Sequence, residues 1–154
     1  MGGSGSEEIP AGAADKFAHE LAPGDAIAPR RFCITGLANQ QRLFAQEDFH
    51  PRYLPGPGGE PELVHPVLVL QMLANTSSPS YRVPADIGPV LAEARTTFIE
   101  PLRVGRPYIA SWRLVRCYAK RGRDYHEIEA EITEADGKPA VRRTLHVTYS
   151  KHSA

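Results

Sequence analysis

The chain has 154 residues, 42% of them hydrophobic, which is enough to bury one full core without disulfides or metals. Its 18 lysines and arginines balance 18 aspartates and glutamates, so no overall field draws it to nucleic acid, and a charged ligand must be met by a local cluster. Cys33 and Cys117 form neither a CxxC pair nor a zinc spacing, and the apolar stretch within residues 67–74 is far too short to cross a bilayer. A single cytoplasmic domain with reduced thiols is the expectation, with no metal site and no membrane contact.

Residues 1–6, Met-Gly-Gly-Ser-Gly-Ser, lack the basic and apolar regions of a signal peptide and read as a flexible leader ahead of one domain spanning 7–154. Residues 7–21 carry the spacing of a short helix before the Pro23-Gly24-Asp25 turn. Residues 26–34 are extended in character and end at Thr35, whose hydroxyl suits the cap of a helix carrying Leu37, Leu43 and Phe44. Residues 49–61 hold four prolines and three glycines, which exclude regular structure, and loops of this kind often carry chemistry.

Pro66 suits the first turn of a helix, and the apolar residues after it, from Val67 through Ala74, go all the way round the axis. A helix apolar on every side must be covered on every side, and in a chain this small only a sheet curling around it can do that. The spacing predicts this helix over 66–77. The remainder predicts strands over 91–99, 108–119, 124–133 and 140–150, with hairpin turns at Arg121-Gly122-Arg123 and Ala135-Asp136-Gly137. Ile128, Ala130 and Ile132 alternate with Glu127, Glu129 and Glu131, and Val141, Leu145, Val147 and Tyr149 repeat the alternation, so each strand has one packed and one wet face.

Three stretches, in order across residues 21–150, resemble the MaoC-like branch of the hot-dog superfamily. Leu21-Ala-Pro-Gly-Asp25 with Arg31-Phe-Cys-Ile-Thr35 is similar to the family's opening turn and first strand. Glu47-Asp-Phe-His-Pro-Arg-Tyr53 resembles the hydratase signature Gly-Asp-x-Asn-Pro-hydrophobic-His, and Val64-His65 resembles the entry to the central helix. Phe98-Ile-Glu-Pro-Leu-Arg-Val-Gly105 is similar to a turn linking two strands of the family's sheet. The resemblance implies an α+β hot-dog fold, an antiparallel sheet wrapped around a central buried helix. It also implies a lyase acting on an enoyl or 3-hydroxyacyl thioester by hydration, dehydration or a related conjugate addition. Coenzyme A or phosphopantetheine would then belong to the substrate, delivered as acyl-CoA or on an acyl carrier protein, with no separate cofactor. The same fold supports thioester hydrolysis, and a non-catalytic acyl-binding subunit of a MaoC-like heterodimer is a further alternative. A homodimer is expected, because one curved sheet leaves long strand edges that relatives cover by pairing.

By position, Asp48 matches the signature Asp, while His50 stands where the Asn is expected and Tyr53 where the catalytic His is expected. Asp48 and His50 alternate with Phe49, so in an extended segment both would leave the same side and converge on one water. Tyr53 suits donation to a carbonyl better than proton abstraction. His65 fits either the site or a purely structural role at the helix start. Pro66 removes an N–H there, so a donor for the thioester oxygen falls to Val67 or a neighbour. Arg113, Arg116, Lys120, Arg121 and Arg123, with Arg142 and Arg143 on the facing strand, form a basic run suited to the phosphates of coenzyme A or a carrier helix. Balanced by Glu127, Glu129 and Glu131, the same run also reads as a solvated face. His19, His126, His146 and His152 show no ligand spacing.

Overall fold

The computed structural model describes residues 12–59 and 62–151. The leader expected over 1–6 lies outside the described residues, and of the short helix expected over 7–21 the described part holds only a 3-10 turn at Ala18–Glu20. Five strands form one antiparallel sheet: β1 (Ala26–Cys33), β2 (Ile87–Phe98), β3 (Pro107–Lys120), β4 (Arg123–Glu134) and β5 (Pro139–Lys151), in the order β1-β3-β4-β5-β2. Two helices, α1 (Gly36–Gln46) and α2 (Pro66–Met72), lie between β1 and β2 in the chain.

The strands arise where period-two alternation predicts them. Ile128, Ala130 and Ile132 of β4 are buried, and so are Val141, Leu145 and Val147 of β5, opposite Tyr108, Ala110, Trp112 and Leu114 of β3. The β3–β4 hairpin closes on Arg121 and Gly122, both at positive φ, the conformation a two-residue hairpin turn requires. Helix α2 packs on this apolar inner face through Leu68, Val69 and Leu73, and the Trp112 indole N–H donates to the Leu73 carbonyl at 2.9 Å.

The central helix is shorter and less enclosed than its sequence predicts. It ends at Met72, followed by a separate 3-10 turn at Asn75–Ser77; Gln71 is exposed, and Val67, Leu70 and Met72 are only partly covered. The reason lies in β2, an edge strand paired only with β5. By register its Leu91, Ala94 and Phe98 share the inner face with Val147, Leu145 and Val141, yet all three are exposed, so the side of α2 that faces β2 has no wall over it.

Candidate functional site

Helix α1 starts as its sequence predicts, with the Thr35 hydroxyl accepting the Ala38 N–H at 3.1 Å. Leu43 and Asn39, one turn apart, are the buried residues of the helix, and Ala38 packs partly against the core; Leu37 and Phe44 are exposed. The helix stops at Glu47, whose left-handed backbone (φ 51°) turns the chain so that the Asp48 N–H reaches the Leu43 carbonyl at 3.1 Å. That turn aims the Asp48 side chain back at the start of α2. There Asp48 Oδ2 lies 3.1 Å from His65 Nε2, with the imidazole 9% and the carboxylate 41% exposed.

The tautomer of His65 follows from its other contact. Its Nδ1 accepts the Val67 N–H at 3.2 Å and caps α2, so Nδ1 is unprotonated and Nε2 carries the proton donated to Asp48. The imidazole therefore holds the carboxylate in place, and of the two groups the carboxylate is the one open to solvent.

Asn39 ties this geometry together and went unread in the sequence. It is fully buried; its Oδ1 accepts the His65 N–H at 2.9 Å, and its Nδ2 faces the carbonyls of Leu63 (3.0 Å) and Tyr53 (3.3 Å) and the Glu62 carboxylate (3.4 Å). One amide thus pins α1, the loop at Tyr53 and the lead into α2. The available signal was a polar residue four before Leu43 on the inward stripe of α1, where an apolar residue is the usual occupant.

The structure pairs Asp48 with His65 and does not bring the Asp48 and His50 side chains together. The segment is not extended: Asp48 Oδ1 accepts the His50 N–H at 3.3 Å, and His50 Nδ1 accepts the Arg52 N–H at 3.3 Å to cap a 3-10 turn at Pro51–Tyr53. His50 is exposed, with its ring 6.2 Å from that of Tyr53. The Tyr53 ring lies 5.0 Å from the His65 ring, and its hydroxyl makes no hydrogen bond among the described residues. Val67 is no free donor, because its N–H is spent on His65, and the Leu68 N–H goes to the His65 carbonyl at 3.0 Å.

Arg113 and Arg116 project from the outer face of the sheet, across it from the pair. Arg113 borders an outer-face groove of about 780 Å³ that also meets Glu129, Glu131 and Arg142. Arg116 is bound to Glu127 at 2.6 Å and stacks over the Tyr118 ring. The basic run also divides: Arg142 pairs with Glu131 on the outer face, while Arg143 turns inward. Among the described residues no group of three or more His, Cys, Asp or Glu side chains is arranged to hold a metal ion, and no helix is long and apolar enough to cross a membrane.

No protein-family model and no curated protein sequence matches the chain. Solved structures do. The (R)-hydratase from A. caviae involved in PHA biosynthesis aligns with a TM-score of 0.65 and 17% identity over 84% of this chain and 98% of that one. The MaoC-like dehydratase from Rhodospirillum rubrum gives a TM-score of 0.66 and 15% identity over 90% and 99%. The HadBC (3R-hydroxyacyl-ACP dehydratase) complex from Mycobacterium tuberculosis gives 0.65 and 14% over 84% and 98%. The chain has the α+β hot-dog fold, in the form that the MaoC-like proteins share.

Proposed function

We propose that the protein is an acyl-thioester hydro-lyase, adding water to an enoyl thioester or removing it from a 3-hydroxyacyl thioester carried on coenzyme A or on the phosphopantetheine of an acyl carrier protein. The observation that supports this most is the Asp48–His65 pair, one accessible carboxylate oriented by one buried imidazole, on a fold whose solved neighbours include hydratases and dehydratases. In the hydration direction Asp48 takes a proton from water as the oxygen bonds to the β-carbon. The double-bond electrons move toward the thioester carbonyl, whose oxygen accepts from the Tyr53 hydroxyl, and the Asp48 carboxylic acid then returns its proton to the α-carbon. One water is consumed and the carboxylate is regenerated. His65 is a positioning residue in this scheme, acting through Asp48.

The test follows absorbance at the enoyl-thioester band with short and medium acyl-CoA substrates, alongside a free-thiol assay that reports hydrolysis. Turnover without thiol release is expected, and Asp48→Asn lowers it by about 100-fold or more, the usual worth of a general base. Absence of turnover, or indifference to Asp48→Asn, removes the reading. A second reading, a binding subunit that completes a catalytic partner, is favoured by Tyr53 standing where the signature His is expected and by the two-component HadBC neighbour. Turnover by the purified chain alone excludes it. We also propose that the chain works as a homodimer joined along β2, the edge whose inner-face apolar side chains are exposed.

A further inference from the structure

Arg143 breaks the alternation of β5. It stands between Val141 and Leu145, both fully buried on the inner face, and pairs across the sheet with Ala130 on one side and Thr96 on the other. Its guanidinium therefore enters the space beside α2, where Nη1 donates to the Leu70 carbonyl at 3.1 Å. Nε is buried with no partner, and Arg143 forms no ion pair among the described residues, whereas Arg142 next to it is paired with Glu131. Burial lowers the guanidinium from its ordinary value.

A half-buried, unpaired arginine on an otherwise apolar face is costly to keep without an anion to meet it. Capping the end of α2 uses one of its five N–H groups. Its cross-sheet neighbours Ala130 and Thr96 are small, and on the Thr96 side the inner face carries the uncovered apolar strip of Leu91, Ala94 and Phe98 on β2. The same helix that meets Arg143 at Leu70 is capped by His65, five residues earlier, which at 1.5 Å and 100° per residue sets the two about 7–8 Å apart along the axis and about 140° apart around it. A medium-length acyl chain with its thioester end at Asp48 that runs along and partly around α2 brings its far end to the guanidinium.

We propose that Arg143 determines substrate specificity by binding a carboxylate at the distal end of the acyl chain, so that the preferred substrates are dicarboxylic acyl thioesters. This rests on the hydro-lyase reading above. A carboxylate there meets the free edge of the guanidinium in a two-point hydrogen bond, while a chain ending in a methyl group leaves the charge unpaired. Sites built around a polar partner reject analogues lacking it far more strongly than apolar pockets reject a change in length.

The experiment compares kcat/KM for octenoyl-CoA with that for octenedioyl-CoA, flanked by the hexenedioyl and decenedioyl homologues, in the wild-type protein and in Arg143→Met and Arg143→Lys. The expected result is a preference of about tenfold to 100-fold for one dicarboxylic length, the scale of a charge-assisted contact. The preference collapses toward unity in Arg143→Met and is retained in part in Arg143→Lys. Turnover of octenoyl-CoA at least as efficient as that of every dicarboxylic homologue overturns this inference and leaves the hydro-lyase reading standing. Turnover of none of them removes both. Equal losses on both substrate types in Arg143→Met, with dissociation in sedimentation, assign the arginine to an interface and overturn the inference as well.

Discussion

At the scale of single residues the geometry of the site depends on Asn39 as much as on Asp48 and His65. Replacing it with alanine leaves the His65 N–H and the Leu63 carbonyl without partners in a buried place, which costs on the order of 2–3 kcal/mol. Denaturant melts of Asn39→Ala check this, and Asn39→Asp is expected to fare no better, because a carboxylate cannot donate to the carbonyls of Leu63 and Tyr53. A second residue-scale prediction concerns His126, buried against Tyr149 at 5.3 Å between ring centroids. Burial first, and His19 second, lower its pKa from 6.5, with Asp124 opposing. The folded state therefore holds the ring neutral while the unfolded chain protonates near its usual value. Its contribution to stability is full above 6.5 and is lost as the pH falls through the folded pKa. His126→Phe keeps the ring and removes the titration, so urea melts across this range are expected to lose less stability on acidification than the wild-type protein.

At the scale of elements, helix α2 gives a graded prediction. Leu73, fully buried, should cost about 2–5 kcal/mol when cut to alanine, whereas Leu70, partly open toward β2, should cost about 1 kcal/mol in the isolated chain. Equal losses in melts at low concentration mean that β2 or a partner covers Leu70 after all. The strands were legible because alternation has period two: four of the five begin within two residues of where the sequence puts them, and β2 begins four residues early, running through Pro89 as only an edge strand can. The thickness of cover over α2 was not legible, since periodicity reports which faces are apolar and not how far a sheet reaches. The site was half legible. Asp48 stands out beside Pro51, but its pairing with His65 depends on a left-handed turn at Glu47 and on Asn39, neither of which a pattern of residue types reveals.

At the scale of the whole molecule, the open strip on β2 has a direct consequence. Leu91 and Phe98 are 53% and 49% exposed on a strand whose outer edge has no partner among the described residues. An apolar edge of this length is covered by pairing or leads to aggregation. Sedimentation at micromolar concentration is expected to give a dimer, and Leu91→Arg to give a monomer; a wild-type monomer overturns the homodimer, and a dimer indifferent to the change places the contact elsewhere. Such a dimer would also close the open side of α2 along which the acyl chain is proposed to lie.

The proposed chemistry turns on which imidazole serves Asp48, and the direct test is the rate of enoyl-CoA hydration in His65→Gln and His50→Ala, each referred to Asp48→Asn. His65→Gln removes the buried ring that orients Asp48 and should lower kcat by about tenfold to 100-fold with little change in KM, part of the Asp48→Asn loss, while His50→Ala should stay within about threefold of the wild-type rate. The contradicting result is the reverse order, with His50→Ala as inactive as Asp48→Asn and His65→Gln active.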